Sequence, residues 1–307
     1  MTVEAELASK TTQYRLMRQA TYAAVAVAVT LIIMKSVALY LTGSVAMLGT
    51  LADSSLDGAA SLLNLFAVRV SMTPADREHR FGHGKAEALA GLGQSIFIFV
   101  SAGFIAWESV HKLLNPVAIE NSTAGVVVLI GALALTLGLV AFQRHVVAQT
   151  GSLAIAADSI HYRGDLLMNL SALGAIVLSS FLGLYWADAV GGLLIAALIG
   201  FSAVQIALAA YSQLMDTEFG DVDRARIADI AKANPEVVNI HDLRTRTAGT
   251  QTFIQFHMEL DGKMTLSKAH RISDEVEARV IEAFPGAEVI IHQDPAGLED
   301  VSEEDRI

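Results

Sequence analysis

Two pairs of ionisable side chains lie inside long apolar segments of the chain. Asp53 and Asp57 form one pair and His161 and Asp165 form the other, and each pair is four residues apart. This spacing places both members of a pair on one face of an α-helix, about 6 Å apart along its axis. A carboxylate deep in a bilayer costs at least ~2.5–3.5 kcal/mol, so it normally faces the bundle interior and serves a function. Three carboxylates and an imidazole predict a four-ligand site for a divalent cation such as Zn²⁺.

A second group of candidate ligands lies in a polar stretch between two apolar segments. Asp76, His79 and His83 could form a tripodal metal site with a fourth position left to water. The neighbouring Arg77 and Arg80 would weaken cation binding, and an ordinary solvated basic loop is the alternative interpretation.

The last third of the chain holds a third group, which includes four of the nine histidines. Its candidate ligands and close neighbours are His241, His257, His270, His292, Gln293 and Asp294. A carboxylate can bridge two metal ions, which is the role considered for Asp294. Histidines scattered over a surface are the alternative.

The composition excludes an ordinary soluble enzyme. Apolar residues make up 53% of the 307 residues and charged residues only 17%, whereas soluble domains carry about 25% charged residues. A net charge of −11 argues against a nucleic-acid partner. Cysteine is absent, so any metal ligands must be histidines and carboxylates.

Six apolar segments are long enough for a transmembrane helix, which needs roughly 20 residues. They are predicted over 20–41, 45–70, 86–110, 124–142, 153–182 and 186–214. Lys and Arg concentrate in the N-terminal segment and in the second and fourth loops, which predicts that these parts and both termini are cytoplasmic. Spans two and five then run antiparallel, and their ionisable pairs lie at one depth near the bilayer centre.

The chain divides by charge into a membrane domain over 1–215 and a tail domain over 216–307. The first holds 11 basic and 12 acidic residues, and the second holds 10 and 20. Hydrophobic periodicity in the tail predicts helices over 221–233 and 266–284 and strands over 237–245, 252–260 and 288–292. Thr265 is the expected N-cap of the second helix. The predicted fold is therefore a six-helix transmembrane bundle followed by a small cytoplasmic α+β domain of order α-β-β-α-β.

Other polar residues in the spans have alternative roles. Asp158 is interpreted as a residue on the cytoplasmic approach to the site rather than a ligand, and Glu87 as a helix cap or an ion-pair partner. Lys35 is expected to reach the interface or to face protein. Ser61 and Asn64 extend the face of Asp57, and Asn169 extends that of Asp165, as a hydrated path would require.

The motifs together resemble the cation diffusion facilitator family, over most of the chain. Those that carry the resemblance are GSVAML (43–48), LADSSLD (51–57), FGHGKAE (81–87) and ADSIHYRGD (157–165). The tail motifs HDLRTR (241–246) and VIIHQDP (289–295) resemble the bacterial zinc and ferrous-iron efflux branch, the YiiP/FieF type.

The resemblance implies a homodimeric antiporter, not an enzyme, that exports a divalent metal against inward-moving protons. Alternating access is our hypothesis for its mechanism. The resemblance also implies a metallochaperone-like tail and a bacterial inner-membrane location. It assigns Asp53, Asp57, His161 and Asp165 to the transport site, Asp76, His79 and His83 to a loop site, and His241, His257, His270, His292 and Asp294 to a two-metal tail site with Gln293 in the outer shell. Lys85 and Asp216 match a pair that links the two domains.

The metal and two other functions stay open at this point. Zn²⁺ is favoured as cargo and as tail ion, but Fe²⁺, Mn²⁺, Co²⁺, Ni²⁺ and Cd²⁺ also suit sulfur-free ligands. A membrane metal sensor without transport is one alternative function. An intramembrane metallohydrolase is a second, although the chain has no HExxH motif.

Overall fold

The computed structural model describes residues 3–42, 45–114, 123–182 and 186–297. Six long helices come first. They are α1 (Val3–Thr42), α2 (Val45–Ser71), α3 (Lys85–Leu114), α4 (Thr123–Thr150), α5 (Leu153–Leu182) and α6 (Ala187–Leu214). The chain divides into two compact units, one of Gln13–Tyr211 and one that comprises the chain from Ser212 together with the residues before Gln13.

Four helices in the described part of the chain are long and apolar enough to cross a membrane. These segments are Thr11–Leu41, Lys85–Leu114, Val127–Thr150 and Ala189–Leu214. Helices α2 and α5 are similar in length, at 27 and 30 residues. They are not among these four, and they are the two helices that carry the ionisable pairs. The helical transmembrane domain is thus confirmed, whereas the full count of six spans stays a prediction.

The connection between α4 and α5 differs from the expectation. The fourth span was predicted to end at residue 142, but α4 continues through Arg144 and His145 to Thr150, and the His145 ring lies 3.1 Å from the side-chain amide of Gln149. Gly151 ends the helix with a φ of 66°, a conformation that glycine adopts without a steric penalty. Only Gly151 and Ser152 separate the two helices, so α4 and α5 are joined by a tight turn.

Small side chains fill the interior of the membrane unit. Ala24, Ala154, Ala157 and Ala203 are at most 1% exposed, which lets the helices approach closely as in other membrane bundles. Large apolar side chains such as Phe201 lie on the outside instead. Helix α5 contacts α2, α3 and α4, so it lies at the centre of the packing.

The tail has the predicted order of elements. Helix α7 (Asp221–Lys232) precedes β1 (Asn239–Ala248) and β2 (Gln251–Leu260), which are followed by α8 (Leu266–Ala283) and β3 (Ala287–Pro295). Strand β2 is central, antiparallel to β1 and parallel to β3. As expected, the Thr265 hydroxyl caps α8 by accepting the N–H of Lys268.

The tail sheet has one helix-covered face and one polar face. Alternate residues of β2, such as Ile254, Phe256 and Met258, are buried in a core with residues of α7 and α8. The residues between them, including His257 and Glu259, are only half-buried and lie on the opposite face. This alternation collects the polar side chains of the three strands on one surface.

Candidate metal centres

The two helices that carry the ionisable pairs bring three of the four candidate ligands together. Nε2 of His161 lies 2.9 Å from Oδ1 of Asp57 and 3.8 Å from Oδ2 of Asp165. One ligand atom from each of these residues falls within 4.8 Å of the others. The side chains of Asp57 and His161 are only 13% and 10% exposed, whereas that of Asp165 is 33% exposed, so the cluster is open on the side of Asp165.

A cavity of about 770 Å³ adjoins this cluster. Asp53 lines it together with Asp57, His161 and Asp165, although the Asp53 carboxylate is not within the 4.8 Å group. The lining continues through Asn169 on α5 and residues at the end of α3 and the start of α6. The cavity therefore extends from the cluster toward the side of the bundle where α3 ends and α6 begins.

Lys35 faces protein, which was one of its two expected positions. Its ammonium group donates to the hydroxyl of Ser54 at 2.5 Å and to the carbonyl of Thr50 at 3.1 Å. Lys35 also lines the cavity. The ammonium group of Lys35 therefore adds a positive charge to the cavity wall that also holds the acidic side chains.

Ser61 and Asn64 do not extend the cavity, contrary to the expectation of a hydrated path. The Ser61 hydroxyl lies 2.9 Å from the Tyr162 hydroxyl, and the Asn64 amide donates to the carbonyl of Ala154. Both side chains are buried. They connect α2 to α5, so their role in the structure is packing between helices.

Asp158 is completely enclosed by protein and does not lie on an open approach to the metal cluster, contrary to the expectation. Its two carboxylate oxygens accept hydrogen bonds from Gln94 of α3 at 3.0 Å and from Gln143 of α4 at 2.6 Å. It is 1% exposed. Sequence reasoning missed both glutamines, because nothing in their spacing shows which acid they contact.

Glu87 caps a helix, as one of its expected roles, but the helix is α5 rather than its own α3. Its buried carboxylate accepts from the Ser152 hydroxyl and from the N–H of Ala154. A carboxylate at a helix N-terminus is stabilised by the exposed N–H groups and by the helix dipole. Glu87 therefore fixes the start of the helix that carries His161 and Asp165.

The three candidate ligands of the second loop lie close together at the surface. Oδ1 of Asp76 is 3.4 Å from His79, Oδ2 of Asp76 is 3.4 Å from His83, and the two rings are 4.5 Å apart. The N–H of His79 and that of Glu78 donate to Oδ1 of Asp76. These hydrogen bonds, that from His79 above all, lower the pKa of the Asp76 carboxyl.

Three histidines of the tail form a row across the sheet. His257 on β2 is in register with His241 on β1 and with His292 on β3. Asp294 completes the cluster, with Oδ2 at 2.8 Å from Nδ1 of His257 and 3.5 Å from Nε2 of His241, and Oδ1 at 3.2 Å from Nε2 of His292. A central carboxylate with imidazoles on both oxygens has the geometry of a bridging ligand.

The other two tail candidates do not join this cluster within one chain. His270 lies on α8, is 70% exposed and pairs with Asp274. Gln293 lies on the helix-covered face, because strand residues alternate, and donates to the hydroxyl of Ser273. Their assignments as ligand and outer-shell residue stay predictions.

Two carboxylates beside the tail cluster were missed by sequence reasoning. Glu259 contacts His241 at 3.1 Å, and Asp242 lies 3.6 Å from His257. A β-bulge between His241 and Arg244 gives Asp242 a φ of 48° and turns its side chain toward the cluster. The i, i+2 spacing of His257 and Glu259 could have predicted that both side chains lie on one face of the strand. Nothing in the sequence pattern predicted the bulge that brings Asp242 to the cluster.

All three clusters offer donors that suit a borderline divalent metal. Histidine nitrogens and carboxylate oxygens match Zn²⁺ and its neighbours in the first transition row, and no thiolate is available for Cu⁺. Among the residues that the structure describes, these are the three groups of at least three such donors within 4.8 Å.

Two family models match the chain. The cation efflux transmembrane domain covers residues 21–215, and the cytoplasmic domain of cation efflux proteins covers residues 220–296. The chain therefore belongs to the cation efflux, or cation diffusion facilitator, family. It is a transporter of divalent metal cations and not an enzyme.

Curated relatives narrow this assignment to one branch. The cation-efflux pump FieF of Shewanella oneidensis is 47% identical over 95% of this chain and 98% of its own length. FieF of Cronobacter sakazakii is 46% identical over 92% of this chain and 94% of its own. The metal-bound C-terminal domain of the CzcD transporter from Thermotoga maritima is 28% identical over 27% of this chain and all of that domain, with a TM-score of 0.25. The two curated relatives place the chain in the FieF-like branch of the family.

Proposed function

We propose that the chain exchanges a divalent metal for protons, with Zn²⁺ as the preferred cargo and Asp53, Asp57, His161 and Asp165 as the transport site. The observation that carries this proposal is the convergence of Asp57, His161 and Asp165 beside a cavity that Asp53 also lines. Three carboxylates and a neutral imidazole satisfy a tetrahedral dication, whereas protons can satisfy the same groups when the metal leaves.

In the proposed alternating-access cycle, competition between the metal and protons couples their exchange. In the cytoplasm-facing state the deprotonated groups bind the metal. In the outward-facing state protons arrive, protonate the ligands and release the metal. His161 is the natural proton carrier, because its ligating nitrogen binds either a proton or the metal, but not both.

We propose that the tail binds regulatory metal at His241, His257, His292 and Asp294, and that His270 and Gln293 contribute in the homodimer. Support comes from the row of in-register histidines around Asp294. Regulation requires that the tail metal binds differently to the two transport states. Asp76, His79 and His83 are a third, exposed candidate site, and the Lys85–Asp216 pair linking the domains stays a prediction.

The proposed setting is the bacterial inner membrane, with both termini and the tail in the cytoplasm. The distribution of Lys and Arg supports this orientation. In this orientation the side of the bundle where α3 ends and α6 begins faces the exterior, so the cavity extends outward from the transport site.

Metal binding to the purified full chain tests the site and its selectivity together. Zn²⁺, Fe²⁺, Mn²⁺, Co²⁺, Ni²⁺ and Cd²⁺ compete for binding in a background where His257→Ala and Asp76→Ala silence the tail and loop sites. We expect Zn²⁺ to bind most tightly and Asp57→Ala to weaken binding at least ~10-fold, since even outer-shell changes cost that much.

Glu108→Gln is the matched control, because Glu108 lines the same cavity without joining the cluster. It should change affinity less than threefold (about 0.6 kcal/mol). Equal affinity in Asp57→Ala and the background protein would overturn the assignment of the site. Tighter binding of another metal would overturn zinc as the preferred cargo but would leave the assignment of the site intact.

A further inference from the structure

Glu259 lies beside the tail cluster and is not one of its candidate ligands. It follows His257 by two residues on β2 and therefore lies on the same polar face of the sheet. Its Oε1 is 3.1 Å from Nδ1 of His241 and also accepts the side-chain amide of Asn239 at 3.4 Å. Asn239 and Glu259 are direct cross-strand partners, so the strand pairing itself fixes the carboxylate.

We propose that Glu259 is a positioning residue that holds the proton of His241 on Nδ1 and turns Nε2 toward the metal. A neutral imidazole has one protonated nitrogen and one that can bind metal. With Nδ1 donating to Glu259, Nε2 is the nitrogen left facing Oδ2 of Asp294, 3.5 Å away. The inference rests on the proposed metal site of the tail.

Glu259 acts through His241 and does not itself ligate the metal. The ring places its two nitrogens on different edges, and Glu259 and Asp294 contact different nitrogens. The described donors that fall within 4.8 Å of one another include His241, His257 and Asp294 but not Glu259. Carboxylates in this outer position orient ligating histidines and raise their basicity in many metal sites.

The neighbouring Asp242 does not have the same role. Its Oδ2 lies 3.6 Å from Nε2 of His257, which is too far for a hydrogen bond. Its other oxygen accepts from Arg244 at 3.0 Å. The contrast assigns the positioning role to Glu259 alone among the described carboxylates beside these histidines.

Zinc binding by the full chain tests the proposal. Asp57→Ala and Asp76→Ala silence the transport and loop sites, so that competition with a chelating dye reports on the tail. We expect Glu259→Ala to weaken zinc binding about 10–100-fold. Glu259→Gln should stay within about threefold, because an amide oxygen still accepts the Nδ1 proton.

Glu288→Ala is the matched control, since Glu288 is an exposed acid on β3, and it should leave the affinity unchanged. Asn239→Ala is the milder variant should Glu259→Ala fail to fold, and it should weaken binding in the same direction by a smaller factor. Unchanged affinity in Glu259→Ala, or in Asn239→Ala in its place, would overturn the proposal. So would a loss in Glu259→Gln as large as that in Glu259→Ala, because charge rather than the hydrogen bond would then matter.

A second readout needs no metal. Nitrogen NMR of labelled histidine in the metal-free protein should show His241 protonated at Nδ1 in the parent and in Glu259→Gln, with a shift toward Nε2 in Glu259→Ala. Protonation at Nε2 in the parent would contradict the proposal. Absence of zinc binding in every variant would reject the tail metal site, while this tautomer measurement would still decide the role of Glu259.

Discussion

At the residue scale, the transport cluster places one imidazole nitrogen between two carboxylates. Nε2 of His161 is the atom that faces both Asp57 and Asp165. A proton on that nitrogen supplies one positive charge to the cluster, and a metal in the same place supplies two. Metal and proton therefore compete for one atom, which is the physical basis of the proposed exchange.

This competition predicts a definite dependence of affinity on pH. In the background with the tail and loop sites silenced, zinc affinity should rise as the pH is raised from about 6 to about 8, because fewer protons then occupy the ligands. Isothermal titration in buffers of different ionisation enthalpy should show proton release on binding. Affinity and heat that are independent of pH and of buffer would refute the competition.

Asp76 gives a second prediction at this scale, and its effect likewise grows as the pH is raised. Hydrogen bonds from the N–H groups of His79 and Glu78 lower the pKa of its carboxyl, so the ionised form stabilises the folded loop. This contribution is complete above the ordinary pKa of 3.8 and is lost as the pH falls through the lowered value. Protection of the two amides from hydrogen exchange should follow the same course.

Asp76→Ala should remove that protection already at neutral pH. Glu78→Ala keeps the backbone N–H and the Asp76 acceptor and is the matched control. Equal protection in the parent and in Asp76→Ala would show that the carboxylate does not hold the loop.

At the scale of elements, α5 is held to its neighbours at successive turns. Glu87 of α3 caps its start, Gln94 and Gln143 bind Asp158, and Ser61 of α2 contacts Tyr162. All these side chains are buried. Beyond Asp165 the helix lines the cavity instead, so the same helix is fixed on one side of the metal cluster and bordered by space on the other.

Removing the acid at the centre of these contacts should destabilise the bundle. Asp158→Ala leaves two buried glutamine amides without their acceptor, at roughly 1–3 kcal/mol for each unpaired group. Asp158→Asn should cost less, because rotation of one glutamine amide restores both hydrogen bonds. Thermal unfolding in detergent measures both variants, and equal melting temperatures for the parent and Asp158→Ala would contradict the role.

Sequence reasoning predicted the elements well and their side-chain contacts only in part. Helical spacing put Asp53 with Asp57 and His161 with Asp165 on shared helix faces. The predicted strands put His241 and His257 on neighbouring strands, with His292 and Asp294 at the end of a third. The partners of Asp158 and the helix that Glu87 caps depend on which helices pack together, which periodicity does not encode. The ends of α1 and α4 were missed because polar residues continue a helix beyond its apolar segment.

At the scale of the whole molecule, the candidate metal centres divide between the two units: the transport and loop clusters lie within Gln13–Tyr211, and the histidine row lies in the tail. The proposed functions predict that the transport site and the tail site can be disabled separately. His257→Ala with His292→Ala should remove the tail metal, lowering the metal bound per chain, and should leave zinc affinity at the transport site within about threefold. Equilibrium dialysis measures both quantities, and loss of binding at both centres would show that the transport site and the tail site are not separate binding sites.

Zinc flux into proteoliposomes under an imposed proton gradient tests the central claim most directly. The parent chain should move zinc against the direction of proton flow, and should stop when the gradient is dissipated. Asp57→Ala and His161→Ala should reduce the flux at least ~10-fold, whereas Glu108→Gln should retain it. Transport at the parent rate in Asp57→Ala or His161→Ala would show that the ion crosses the membrane without these ligands.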